Sequence, residues 1–409
     1  MGPHAHYQPA AETERLVRLG IVAALSGDMS AVGRLFEIVR DLDALGRDDL
    51  IDSAFARVAP EYLGAIWERG WSPLDVVHAA QHEFGRVIGS LTAEIVLADP
   101  RLGAANRPEA WSEQLESLRG RRTRRSTSRD EFGKLLDRFT LVQRIVRLPP
   151  LVPVLTPPSE WGIARPTVEA SRGSNPGSVD ARLLEKVRAL LAKAESTTFE
   201  AEADAFMSKA QELMARHAID VAMLQAGDSR HGLVGGVRAR RVHIDDPYAA
   251  QKAQLLGVVA HANDAKVVWH EGFGFATVIG FPVELDLTEL TFTSLLVQMT
   301  RAMTAASSAD RARTRAPAFR RAFVLSYAQR IGERLLEATQ RATDEAGQQY
   351  GAALVPVRKA RREAVEERSA AWFPNTRPIR TRSVDAGGWY AGRQAADLAR
   401  LSPDLDQIR

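Results

Sequence analysis

The chain has 409 residues, 45% of them apolar and 26% charged, the balance of a globular protein whose length predicts two or three domains. Lys and Arg number 54 against 51 Asp and Glu, a formal charge of +3, which excludes a uniformly polybasic protein but not local patches. There is no Cys, which excludes disulfides, thiolate zinc sites, iron–sulfur clusters and a cysteine nucleophile.

The opening Met1-Gly2-Pro3-His4-Ala5-His6 lacks a charged and then apolar leader, and apolar runs such as Leu255 to Ala260 fall far short of the roughly 18 residues of a membrane span. A cytoplasmic protein of bacterial type with no membrane partner is expected. Residues 1–100 read as an N-terminal helical bundle. Leu16, Leu19, Ile21, Val22 and Leu25 form one stripe, Gly27-Asp28 interrupts it, and Val32, Leu35, Phe36, Ile38 and Val39 form the next. Gly70, Ser72, Pro73 and Asp75 have the character and spacing of a helix end followed by a capped helix start. Val76, Val77, Ala80, Phe84, Val87 and Ile88 then continue as one helical stripe.

Residues 101–147 are a basic segment followed by an amphipathic helix, in which Phe132, Leu135, Leu136, Phe139, Val142, Ile145 and Val146 keep helical spacing. From 148 to 177 the chain is rich in Pro, Gly and Ser and predicts an extended linker. Residues 178–225 predict a central αα-hairpin. Leu183, Val187, Leu190, Leu191 and Ala194 stripe its first helix, and Thr197 and Glu200 sit at capping-box spacing in the break. Ala203, Phe206, Met207, Ala210, Leu213 and Met214 stripe the second helix. Residues 240–409 predict a C-terminal α+β domain. It has a small β-hairpin over 266–280, helices over 283–305, 318–346 and 354–372, an extended piece over 378–384, and a last short helix after Gly387-Gly388. The fold class is therefore mostly α and multidomain.

Catalytic signals are weak. His78 and His82 stand at i, i+4 but outside a His-Glu-x-x-His frame, so they read as a polar helix face; His261 and His270 read as half-buried imidazoles. No Gly-x-Ser-x-Gly elbow and no phosphate loop is present, and no catalytic residue, metal ligand or cofactor is assigned. Asp264 and Lys266, with Asp245 and Asp246 upstream, leave a metal-dependent hydrolase or nuclease as one alternative.

Arginine distribution is the stronger signal. Arg119, Arg121, Arg122, Arg124, Arg125 and Arg129 fall in a run without an acid, and so do Arg311, Arg313, Arg315, Arg320 and Arg321. A guanidinium fork matches phosphate oxygens, and clusters of them release condensed counterions on meeting a nucleic acid. The candidate binding residues are Arg119, Arg121, Arg122, Arg124, Arg125, Arg311, Arg313, Arg315, Arg320 and Arg321, with DNA or RNA as the expected partner. Phe319, Phe323 and Tyr327 beside the second run read as core rather than a stacking platform. A protein-interaction or scaffolding role, through the unpartnered faces of bundle and hairpin, stays open as a second alternative. The second hairpin helix carries Glu200, Glu202, Asp204 and Glu212 against Lys209 and Arg216, so it is not a DNA-reading helix.

Leu184-Glu185-Lys186-Val187-Arg188-Ala189-Leu190-Leu191-Ala192-Lys193-Ala194-Glu195-Ser196-Thr197-Thr198, followed by Glu200-Ala201-Glu202-Ala203 and Ala210-Gln211-Glu212-Leu213-Met214-Ala215-Arg216-His217, resembles the domain of unknown function family 2786 of bacterial and phage proteins. Gly280-Phe281-Pro282, Phe319-Arg320-Arg321-Ala322-Phe323 and Ala391-Gly392-Arg393 are similar to the region that follows it in that family. The resemblance implies the helical hairpin and its C-terminal companion, and no reaction or catalytic residue.

Overall fold

The computed structural model describes residues 9–28, 30–35, 48–120, 131–162, 209, 212–213, 215–223, 233, 235–309, 317–378 and 385–399. The chain divides into two compact units, Met1–Pro166 and Thr167–Arg409.

In the first unit the described elements are helical: α1 (Pro9–Ser26), residues 30–35, α2 (Asp48–Val58), a short α3 (Gly64–Glu68), α4 (Pro73–Phe84), α5 (Arg86–Leu97), α6 (Glu109–Arg119) and α7 (Glu131–Val146). The start of α4 is built as its sequence predicts. Ser72 Oγ accepts from the Asp75 N–H, and the Asp75 carboxylate accepts from the Ser72 N–H, so two amides at the helix end are satisfied reciprocally. The stripe expected to run on from Val76 to Ile88 is interrupted. Gly85 takes φ 87°, a conformation that costs glycine little, and separates α4 from α5. Helix α7 crosses α1 where Gly20 leaves room for the Phe139 ring; a Cβ at Gly20 would stand 2.2 Å from the ring's tip.

The Pro-rich run is anchored to this unit through residue 161. The Leu151 N–H donates to the Arg69 carbonyl at 2.8 Å. The indole N–H groups of Trp71, Trp111 and Trp161 donate to the carbonyls of Pro149, Thr156 and Thr156 at 2.8, 2.9 and 3.0 Å. The carbonyls of Pro149 and Thr156 thus satisfy buried indole N–H groups, and the extended run serves as a strap on the bundle. Residues 163–177 of the expected linker lie outside the described residues.

The second unit is a three-layer arrangement around a small antiparallel sheet of β1 (Arg238–His243), β2 (Lys266–His270) and β3 (Phe275–Gly280), in the order β1-β3-β2. The hairpin β2–β3 is the one read from sequence. Strand β1 adds to it: its Arg-Ala-Arg-Arg start reads as a charged run, because alternation is hidden when both faces of a strand carry arginine. Val242, Ala276, Val278, Val267 and Trp269 share one face, which packs on α8 (Ala249–Ala262), α9 (Pro282–Ala309) and α10 (Pro317–Tyr350). Val268 and Ile279 share the other, which packs on α11 (Leu354–Trp372) through Ala364, Val365, Trp372 and Phe373. Phe319, Phe323 and Tyr327 are buried in the core of this unit.

The last helix, α12 (Ala386–Asp397), begins one residue before Gly387-Gly388 rather than after it, capped by Asp385, whose carboxylate accepts from the Gly388 N–H at 2.6 Å. It lies against α10 at backbone contact. A Cβ on Gly388 would come within 2.2 Å of the Phe319 carbonyl oxygen, and one on Gly392 within 2.2 Å of that of Phe323. Arg334 donates to the Ala396 and Ala399 carbonyls and so occupies the C-terminal end of α12.

Of the expected αα-hairpin, residues 209, 212, 213 and 215–223 are described and helical; the first helix and the Thr197–Glu200 break lie outside the described residues. Ile219 packs with Ala346 and Leu354, and the Tyr350 hydroxyl donates to Asp220 at 2.7 Å. The C-terminal domain is thus a partner for the apolar face of that helix. Of the extended piece over 378–384, residues 379–384 also lie outside the described residues. Among the described residues no helix is long and apolar enough to cross a membrane.

Candidate functional site

Strand β2 forms one edge of the sheet, and beside that edge the second unit opens into a groove of about 1900 Å³. All five β2 residues line it. One wall is made by α8 and α10, where Ala253, Val258, Leu325, Ala328 and Leu336 face the space. The other is made by Trp372 and Phe373 at the end of α11, continuing through Pro374 to Pro378, and Trp389 of α12 also lines it. Gly332 lets α10 approach α8 so closely that a Cβ there would stand 3.1 Å from Val258.

The groove's charges are largely spent internally. Lys266 pairs with Glu366. Glu333 accepts from Arg330 at 3.0 Å and from Arg393 at 2.9 Å; these two guanidiniums hold its carboxyl below the usual range. Glu271 and Arg377, of opposite sign, are exposed. At the turn end of the sheet, the Thr277 hydroxyl bonds His270 Nε2 at 2.8 Å and is also contacted by Arg241, whose guanidinium lies 5.3 Å from the Phe275 ring centre.

A second constellation lies between α8, α9 and α11. Asp264, in the left-handed region at φ 55°, accepts from Arg358 at 2.8 Å and from Arg362 at 2.7 Å, one guanidinium on each oxygen. Arg361 donates to Glu284 at 2.6 Å, and its guanidinium lies 3.6 Å from the centre of the Phe281 ring. Both ends of that pair are buried, at 6% and 7% side-chain exposure. Burial raises the Glu284 carboxyl above its ordinary range despite Arg361, and the nearby Asp264 charge adds to the rise. Ala215, Ala218, Ile219 and Ala222 close a small cavity of about 40 Å³ over this network.

These contacts bear on the residues singled out in the sequence. Asp264, the centre of the nuclease-like pattern, has both oxygens engaged by arginines, and Lys266 is engaged by Glu366. Lys252 donates to the backbone carbonyl of Asp245 at 2.8 Å. His78 is buried on α4, where a polar face was expected, and His82 is half-buried. His261 is exposed, not half-buried, whereas His270 is half-buried as expected. Among the described residues no group of three or more His, Asp or Glu side chains could hold a metal ion.

The arginine candidates divide. Arg119 is exposed and pairs with Glu116 one turn back on α6. Arg320 is half-buried and Arg321 exposed on the first turn of α10. Arg121, Arg122, Arg124, Arg125, Arg311, Arg313 and Arg315 lie outside the described residues. Sequence reasoning missed the groove. Its walls come from five separated stretches of chain, and the only local signal was the pair Trp372-Phe373 followed by Pro374.

Residues 182–221 match the family described as Protein of unknown function (DUF2786). The match takes in Ala215, Ala218 and Ile219, which cover the Asp264–Glu284 network, and Asp220, which accepts from Tyr350. No curated protein and no solved structure matches the chain.

Proposed function

We propose that this is a non-enzymatic binding protein that holds nucleic acid through its arginine-rich segments, by contacts to backbone phosphates that tolerate sequence. The observation that supports this reading is where the fold spends its arginines. In the second unit Arg240, Arg330, Arg358, Arg361, Arg362 and Arg393 each bond a carboxylate within the unit. Those cations are consumed by packing. The runs 119–129 and 311–321 contain no acid of their own, although Arg119 pairs with Glu116 just before the first run. Arg321, exposed on α10, continues the second run. Guanidiniums concentrated in short runs are suited to displacing counterions from a polyanion. We place the protein in the bacterial cytoplasm, where nucleic acid is the abundant ligand of that chemistry.

Fluorescence anisotropy with a labelled single-stranded and a labelled duplex oligonucleotide tests this across a salt series. Affinity should fall steeply with salt, and charge reversal of Arg121, Arg122, Arg124 and Arg125 should lower the log–log slope by about 0.7–0.9 for each phosphate that the protein ceases to neutralise. Failure to detect binding to either oligonucleotide at low salt would remove the proposal.

A further inference from the structure

We propose that the groove beside β2 receives an extended polypeptide segment of a partner protein, which pairs with the β2 main chain as a fourth strand. This goes beyond the nucleic-acid reading and rests on a different part of the molecule.

Three observations choose the occupant. The first is the edge itself. Among the described residues β2 pairs only with β3, so on its other side alternate residues present N–H and C=O groups that none of the described strands takes up. Such an edge is a template for another main chain, and strand addition is a recurrent way of binding extended peptides. The second is shape. The edge is recessed between the α8/α10 wall and the Trp372–Pro378 wall, in a groove of about 1900 Å³. A strand matching the five residues of β2 is about 17 Å long at roughly 3.4 Å per residue. The recess suits one chain, whereas an edge-to-edge pairing of two copies would need both walls cleared.

The third is charge. Lys266 and Glu333 are neutralised within the unit, and the remaining Glu271 and Arg377 are opposite in sign. A groove so balanced offers no field to a polyanion but suits a neutral main chain. Alternate side chains of the added strand would fall towards the two walls. The chemistry favoured is therefore an uncharged segment with β-branched or aromatic residues at every second position.

The full-length protein is screened against a displayed random heptapeptide library, and the best peptide is synthesised both unmodified and with every second amide N-methylated. The unmodified peptide is expected to bind with little salt dependence and to slow hydrogen exchange of amides within Lys266–His270. N-methylation in the register facing β2 should weaken binding at least tenfold. So should Leu336→Glu, a change at an exposed position on the groove wall that leaves the core untouched. Trp389→Ala, half-exposed at the same groove, is the second variant. A library that yields no binder overturns the proposal, as does binding that ignores N-methylation in both registers or protects no β2 amide. Oligothymidylate protecting those same amides would assign the groove to nucleic acid and overturn it equally. Loss of oligonucleotide binding on arginine reversal, with peptide binding intact, separates this outcome from the preceding one.

Discussion

Replacing Gly392 by alanine puts the backbone contact between α10 and α12 to a direct test. An added Cβ would stand 2.2 Å from the Phe323 carbonyl oxygen and 2.9 Å from its carbonyl carbon and Cα. Those atoms are backbone within a long helix, so no rotamer change relieves the overlap and α12 must move as a body. Overpacking that forces such backbone shifts costs about 1–3 kcal/mol, occasionally more. Against it stands a gain of about 1 kcal/mol, because alanine is the better helix former. With so close a backbone overlap the overpacking cost lies at the upper end of its range, so a net loss of about 1–2 kcal/mol is expected, together with weakening of the Arg334 bonds to the Ala396 and Ala399 carbonyls that depend on the same approach. Gly347 supplies the control: it lies in α10 with nothing within 4 Å of its would-be Cβ, so the same substitution should stabilise by about 0.5–1 kcal/mol. Urea unfolding of the full chain followed by tryptophan fluorescence and circular dichroism reads both changes. A Gly392→Ala protein as stable as the parent would refute the close-packed geometry of the α10–α12 pair.

Arg361→Met leaves Glu284 buried without its partner and should cost about 3–5 kcal/mol, while the double variant Arg361→Met, Glu284→Gln should recover much of that loss in the same unfolding assay. Equal losses in the two would rule out a buried charge as the cause. Asp264→Ala removes two guanidinium bonds and puts alanine at a positive φ that aspartate tolerates better, for a loss of about 2–4 kcal/mol; a protein of unchanged stability would show that Arg358 and Arg362 gain nothing from it. Carbon-detected titration should find Glu284 above and Glu333 below the ordinary carboxyl range. The raised Glu284 favours the fold while protonated, so its contribution is lost as pH rises through its folded value; the lowered Glu333 contributes above its ordinary value and is lost as pH falls through its folded one. Glu284 titrating in or below the ordinary range would contradict the first half. Trp111→Phe deletes the bond to the Thr156 carbonyl and should cost about 1 kcal/mol and raise proteolytic cleavage near residues 149–161; unchanged cleavage would show that the strap does not depend on it.

Much of the local architecture was legible in the residues. The Ser72–Asp75 cap, the amphipathic α7, the β2–β3 hairpin and the span of α11 all follow from period, cap and turn chemistry, which act over a few residues and leave their mark there. What depended on distant chain did not. Strand β1 was hidden because its arginines find partners far away, Arg240 on Asp286 and Glu289 of α9 and Arg241 on Thr277 of β3. The Pro-rich run through residue 161 read as linker because nothing in its own composition shows that three buried indoles donate to its carbonyls. The pairs Arg361–Glu284 and Arg358–Asp264 join residues separated by 77 and 94 positions, which no spacing rule reaches.

By itself, the sequence determined the absence of cysteine, the mostly helical class, the resemblance of a central segment to a domain of unknown function, and the two acid-free arginine runs. Composition and short-range pattern are complete in the chain before it folds. Only the tertiary structure decided which of the described charges are spent on packing, that Asp264 is committed to two arginines, and that the β2 edge opens on a groove. Each of these is a property of where separated segments meet.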